Sequence, residues 1–321
     1  MSSDPSPIKI KLAPGETPSS TSYKARIIGD YILEDLSAVR NGDDSAPLMV
    51  AMHGPQGCGK TTLTDEIQRY LLISDAKARS AVLSLDDLYL THQELRSLHH
   101  RLPENHLLSG RGLPGTHDLD LAHTTLEAIR YCNQPGTKSR IELPIFDKSA
   151  FNGQGDRSAS TISVETPIEV FILEGWSMGF QALNREELRG KYERALEEST
   201  ASSATEKPAF LSHTLESLLQ VNEYLASASN ILYPPFSLLI QIRPESYAYV
   251  YAWRLQQEYQ LIAARGAGMS DAEVEGFVRR YMPGYELWAG DAEGRIESLW
   301  KGKSLLLWYD KERQVVSVQR A

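Results

Sequence analysis

Short apolar runs alternate along this chain with longer stretches in which apolar residues recur every three or four positions. The runs are Leu48–Met52, Ala81–Leu85, Ile168–Leu173 and Ser237–Ile242, with two more near the end at Ser304–Trp308 and Gln314–Val318. Runs of this length read as strands buried on both faces. Helical spacing predicts helices over Tyr23–Val39, from Thr61 onward with Leu63, Ile67 and Leu71 on one face, and over Asp118–Tyr131. Further helices are expected over Leu183–Glu198, Leu211–Ala226, Glu245–Ala264 and Asp271–Tyr281. Thr91–His100 is expected to open on a cap, because Glu94 stands three residues after Thr91. Strands alternating with helices predict an α/β fold: a mostly parallel sheet with helices on both faces.

Between these elements lie stretches that break regular structure. Gly110–His117 (GRGLPGTH) carries too many Gly and Pro for a helix or strand. Arg140–Phe146 reads as a short extended piece, followed by the polar, glycine-bearing stretch Asp147–Arg157, which reads as a small lid. Asn41–Pro47 is expected as a polar turn and Ser199–Thr205 as a low-complexity loop. Residues 1–22, rich in Ser, Pro and Thr, read as a disordered tail ahead of one domain over 23–321.

In a sheet of this kind ligands bind beyond the carboxyl ends of the strands. That rule selects His53-Gly54, Asp86-Asp87 and Glu174-Gly175. The first opens Gly54-Pro55-Gln56-Gly57-Cys58-Gly59-Lys60-Thr61-Thr62, which fits the phosphate-binding pattern G-x-x-x-x-G-K-[ST] between a strand and a helix. Its backbone N–H groups and the helix dipole are expected to cradle a phosphate. Lys60 would reach the β- and γ-phosphates and the Thr61 hydroxyl would ligate Mg2+. Cys58 stands at a helix N-terminus, where a thiol pKa tends to fall, but reads as a small loop residue. No Asn-Lys-x-Asp guanine-recognition element accompanies the loop, so ATP is favoured over GTP.

Composition narrows the class. With 321 residues, 41% hydrophobic and 23% charged, the chain is an ordinary globular one. A net charge of −9 argues against a general nucleic-acid or anionic-membrane binder, since no basic surplus exists to neutralise phosphates. Two cysteines allow neither a disulfide framework nor a cysteine zinc site, which suits a cytoplasmic or nuclear protein. No apolar run approaches the roughly 20 residues of a membrane helix.

The remaining chemistry sits on acids and cations. Asp86 could take the proton of an acceptor hydroxyl, hold magnesium, or simply cap a helix; Asp87 suits a cap or a supporting contact. Glu174 could hold the metal. Lys148 and Arg157, at the two ends of the lid, would neutralise charge on the transferring phosphoryl. Arg111, His117 and Asp118 border the Gly/Pro-rich loop, where Arg111 could fork onto a substrate carboxylate. The set points to transfer of a phosphoryl group from ATP to a small-molecule hydroxyl acceptor. A nucleoside or other metabolite kinase, or a slow ATP-hydrolysing switch, uses similar parts.

SLDDLYL, GRGLPGTHDLD, LPIFDKSAFNGQGDR, FILEGW and YAWRLQQE together resemble the D-glycerate 3-kinase family of plants and fungi, over about Ile27 to Tyr285. FDKSAFNGQGDR is far more specific than the phosphate loop. The resemblance implies the three-layer sandwich of P-loop NTPases, shared with uridine kinase, phosphoribulokinase and pantothenate kinase, and D-glycerate as the acceptor. It implies Asp86 as the strand-end catalytic aspartate, Thr61 and Glu174 on the magnesium side, and Lys148 and Arg157 in the lid. Ser199–Pro208 and Ile231–Pro235 look like expansions relative to the family, and the stretch after Tyr285 matches it less well.

Overall fold

The computed structural model of the protein describes residues 11–40, 45–201, 207–266, 268–289 and 299–321. The sheet is built from β1 (Leu48–His53), β2 (Ser80–Ser84), β5 (Val170–Gly175), β6 (Leu238–Pro244), β7 (Ser304–Tyr309) and β8 (Val315–Arg320) in the order β2-β5-β1-β6-β7-β8. All neighbours are parallel except β7 and β8, which form an antiparallel edge. The centre reads as an unbroken apolar run because alternate side chains feed two different cores. Leu48, Val50, Met52, Val170, Ile172, Leu238 and Ile240 pack with α1 (Thr21–Arg40) and α2 (Lys60–Ile73). Met49, Ala51, Phe171, Leu173 and Leu239 face the other way, onto α4 (Leu119–Arg130). These are the three layers expected from the pattern. The fold is a three-layer α/β sandwich around a mostly parallel sheet.

A further apolar cluster lies outside these layers. It joins α3 (His92–Arg101), α5 (Arg185–Ala201), α6 (Leu215–Leu232) and α8 (Asp271–Gly284), with Trp176, Phe180, Phe210, Leu218, Val278 and Trp288 at its centre. Trp176 and Tyr281 of this cluster line a cleft together with Gly57, Gly59 and Lys60. The expected capping box is present on α3: Thr91 accepts from the Glu94 N–H and Glu94 reaches back to Thr91. α7 (Tyr249–Arg265) crosses from β6 over the loop. Pro283 lies inside α8, which continues as a π-helical turn over Tyr285–Ala289. No helix among the described residues is long and apolar enough to cross a membrane.

Three expectations need correction. Arg140–Phe146 is not a lone extended piece but one arm of a hairpin, β3 (Arg140–Asp147) with β4 (Asp156–Glu165), that stands as a separate two-stranded sheet. The stretch expected as a lid is its connecting loop with the adjoining strand ends. Much of β4 is exposed, with Ser, Ala and Thr in place of an alternating apolar face, so periodicity had nothing to register. α6 runs on to Leu232 and absorbs the start of the expansion expected at Ile231–Pro235. The tail ends earlier than residue 22. Glu16 bonds the Ala13 N–H and pairs with Arg26 at 2.6 Å, and the Pro18 carbonyl accepts from Val315 at 2.9 Å. Residues 1–10, most of the turn expected at Asn41–Pro47 and most of the loop expected at Ser199–Thr205 lie outside the described residues.

Candidate active site

β1 delivers Gly54 to the sheet's carboxyl edge, where its N–H meets the Gly175 carbonyl at the end of β5 (3.4 Å). The loop then turns back into α2. Gly59 precedes that helix in the left-handed region (φ 92°) and offers no side-chain cap, so the first-turn N–H groups of α2 are left to an anion. Lys60 Nζ rests on the loop's own carbonyls, Gly54 at 2.7 Å and Pro55 at 3.3 Å. Thr61 and Thr62 are exposed beside it. The loop is braced from distant parts of the chain. Gln56 donates its N–H to the Tyr285 hydroxyl at 3.1 Å, and Arg313 donates Nε to the Gly57 carbonyl at 2.7 Å while lying over the Trp253 ring. Cys58 is buried here, and burial pushes its thiol up, outweighing the Lys60 charge and the loop amide. The activation expected of a helix N-terminus is therefore not in force.

Gly57 has φ 75°, and a Cβ on it would meet Trp253 Cβ at 2.8 Å and its main-chain carbon at 2.9 Å. Gly57→Ala is expected to lower stability by about 1–3 kcal/mol, from strain and collision together, and to weaken ATP binding. Thermal melting with and without an ATP analogue measures both.

At the end of β2, Ser84 accepts the Asp86 N–H and opens a 3-10 turn over Leu85–Leu88. The turn sends the two aspartates to different tasks. Asp87 accepts the Phe146 N–H at 2.9 Å and anchors the hairpin. Asp86 faces the loop, 2.5 Å from Lys148 Nζ, and accepts from the Tyr89 hydroxyl at 2.9 Å. Burial pushes the Asp86 carboxyl up, but the Lys148 ammonium and the hydrogen bonds from Lys148 and Tyr89 outweigh it and hold the group below its usual range. Glu174 ends β5 on the α2 side of the sheet, opposite Ser84 in register. It is buried, its Oε2 has no partner among the described residues, and burial raises its pKa against the pull of Lys60.

The lid brings one of its two expected cations to the site. Lys148 is there. Arg157 is not: it pairs with Asp118 at 2.7 Å and donates to the Tyr89 carbonyl at 3.0 Å, at the foot of the hairpin. Asp118 is thus engaged within the chain itself. Its other oxygen caps α4 through the Leu121 N–H at 2.9 Å. His117 lies buried against the Tyr89 ring (4.5 Å between centroids), and burial lowers its pKa to about 4, so at neutral pH it is an uncharged packing partner. Arg111, expected on a substrate carboxylate, is spent on the lid instead. It donates to the Gly153 carbonyl at 2.7 Å, to the Gln154 carbonyl, and at 3.4 Å to that of Lys148. Arg111→Gln should open the loop and speed its cleavage in limited proteolysis roughly five- to tenfold, the consequence of losing about 1 kcal/mol of local closure.

These parts share one cleft of about 1810 Å³, which holds the loop, Asp86, Lys148 and Glu174 together with Arg111, Arg254 and Arg280. That is room for a nucleotide and a small acceptor side by side. Tyr89, Tyr285, Arg280 and Arg313 were not singled out from the sequence. Tyr89 lies three residues from Asp86 and could have been; Arg313, more than two hundred residues from the loop it holds, carries no local signal.

No protein-family model matches the chain. It is 34% identical to the probable ATP-dependent kinase TDA10 of Saccharomyces cerevisiae, over 92% of this chain and 97% of that one. It is 36% identical to the chloroplastic D-glycerate 3-kinase of Arabidopsis thaliana over 82% of this chain, spanning 54% of the plant protein. Among solved structures it is similar to a D-glycerate 3-kinase from Cryptococcus neoformans, with 34% identity, a TM-score of 0.83, and 93% of this chain and 99% of that one covered.

Proposed function

The chain belongs to the D-glycerate 3-kinase family of ATP-dependent kinases, and from that membership we propose that its acceptor is D-glycerate, whose primary hydroxyl takes the γ-phosphoryl of ATP to give 3-phosphoglycerate and ADP. The observation that carries the reading is the placement of Asp86, ion-paired to Lys148 and bonded to Tyr89, in the same cleft as the phosphate loop. The acceptor oxygen attacks the γ-phosphorus, the bond to the β-bridging oxygen breaks, and the hydroxyl proton passes to Asp86. Lys60 holds the β- and γ-phosphates in line. Lys148 links the charge states of the two partners. The phosphates compete with Asp86 for its ammonium, and as Nζ turns to them Asp86 loses the charge that depresses its pKa and becomes the stronger base.

The Thr61 hydroxyl and the Glu174 carboxylate with its orphaned Oε2 fit a hard divalent cation. Among the described residues no three His, Cys, Asp or Glu side chains cluster, which suits an ion held largely by phosphate oxygens and water. Bound there, magnesium would neutralise charge on the β- and γ-phosphates.

The test is product analysis with ATP and a panel of hydroxy acids, sugars and nucleosides. D-Glycerate is expected to give 3-phosphoglycerate well above every other acceptor. A nucleoside monophosphate as the main product would replace the acceptor and leave the kinase standing.

A further inference from the structure

Three arginines line the part of the cleft formed by the Gly/Pro-rich loop, α7 and α8: Arg111, Arg254 and Arg280. Two are engaged. Arg111 holds the hairpin loop, and Arg254 pairs with the buried Glu258 at 2.7 Å. Glu258 is itself held by the Met269 N–H at 2.8 Å, which anchors the pair to the main chain. Arg280 is different. One Nη donates to the Arg111 carbonyl at 2.7 Å and lies 3.5 Å from the Tyr281 hydroxyl, and the guanidinium lies over the Tyr281 ring, which together fix its plane. Its Nε is buried without a partner among the described residues. Its other Nη faces Gly110, where a Cβ would come to 3.4 Å, so the glycine leaves that nitrogen uncovered.

A buried guanidinium donor without an acceptor is costly unless something meets it. The Nη beside Gly110 and the second N–H of the Nη bonded to Arg111 make up the end-on edge of the guanidinium, and the group that fits that fork is a carboxylate or a comparable planar oxyanion. Arg280 lines the same cleft as Asp86 and Lys148. Arg280 is carried on the Arg111 main chain; Arg111 lies over Phe146 (5.7 Å), and Phe146 packs edge-on to Tyr89 (5.3 Å), whose hydroxyl holds Asp86. Tyr281, next in the chain, wedges between Gly112 and Trp176 and keeps α8 in place.

We infer that Arg280 is the anion anchor of the acceptor pocket, and that the acceptor is a hydroxy acid whose carboxylate lies on the Arg280 fork while its hydroxyl faces Asp86. This rests on the kinase reading and adds to it the residue that makes the enzyme select a charged acceptor over a neutral one.

The experiment is steady-state kinetics at saturating ATP with D-glycerate and with glycerol, its neutral analogue, for the wild type, Arg280→Gln and Arg280→Lys. Arg280→Gln is expected to raise KM for glycerate roughly ten- to hundredfold, with KM for ATP and the slow turnover of glycerol unchanged, so that the preference for the acid collapses. Arg280→Lys keeps the charge and a donor for the Arg111 carbonyl but not the fork, and should recover only part of the preference. It also serves as the readout if the glutamine variant melts at a much lower temperature. An unchanged glycerate KM in a folded Arg280 variant would overturn the assignment. A wild type that ignores glycerate would sink the substrate reading instead. Arg280 would then be judged on the anionic and neutral members of whichever acceptor pair the enzyme does use, and absence of any preference between them in the wild type would overturn it too.

Discussion

Asp86→Asn is expected to cut the turnover of acceptor phosphorylation by roughly 10² to 10⁴-fold, the usual contribution of a general base, while leaving ATP affinity close to that of the wild type. The substitution keeps the shape and can still accept from Tyr89, but it cannot take a proton. It also leaves Lys148 without its counter-charge. That should cost little stability, because the Lys148 side chain is 55% exposed and water can solvate the ammonium. Steady-state kinetics against calorimetric binding of an ATP analogue separates the alternatives. Lost nucleotide binding with normal turnover at saturation would move Asp86 from proton transfer to metal binding.

Lys60→Ala should lower kcat/KM for ATP by roughly 10²–10³, about 3–4 kcal/mol, the scale found when one preorganised group facing a developing charge is removed. Two effects combine. The β- and γ-phosphates lose their cation. Glu174 loses it as well, and since Lys60 is the main influence opposing the burial that raises the Glu174 pKa, the carboxyl is driven further toward its neutral form, which binds magnesium poorly. The activity lost should therefore be recovered in part by raising the magnesium concentration and the pH. Full phosphoryl transfer by Lys60→Ala would mean that the loop is not the site.

Most of the sheet was legible because its strands are buried on both faces, so Leu48–Met52 and Ile168–Leu173 stand out as apolar runs in a polar chain. The phosphate-loop motif was legible because it is local: Gly54, Gly59, Lys60 and Thr61 fall in one loop and the first turn of α2. The hairpin strand over Asp156–Glu165 was not, since an exposed two-stranded sheet imposes no burial pattern. The substrate side was read least well. Arg111, Arg157 and Asp118 are charged residues in a cleft, and nothing in their spacing tells a residue that meets a ligand from one that meets another part of the chain. That difference lies in tertiary pairing: Arg157 meets Asp118, Arg111 meets the lid carbonyls, and the Nε of Arg280, embedded in a helix, has no partner among the described residues.

The seam between α1 and the C-terminal β-strands bears on how the polypeptide is made. The Pro18 carbonyl waits for the Val315 N–H, Glu34 for Arg320, and Asp35 for Lys303. β1, central to the sheet, pairs with β5 and β6, which are synthesised more than a hundred residues later. A ribosome must therefore release residues 303–320 before the first helix finds these partners, and residues 170–244 before the apolar strand that precedes the phosphate loop has both neighbours to cover its edges. Truncations that remove the last strand should thus be felt first as poor yield and capture by chaperones, before any defect in ATP handling is measured.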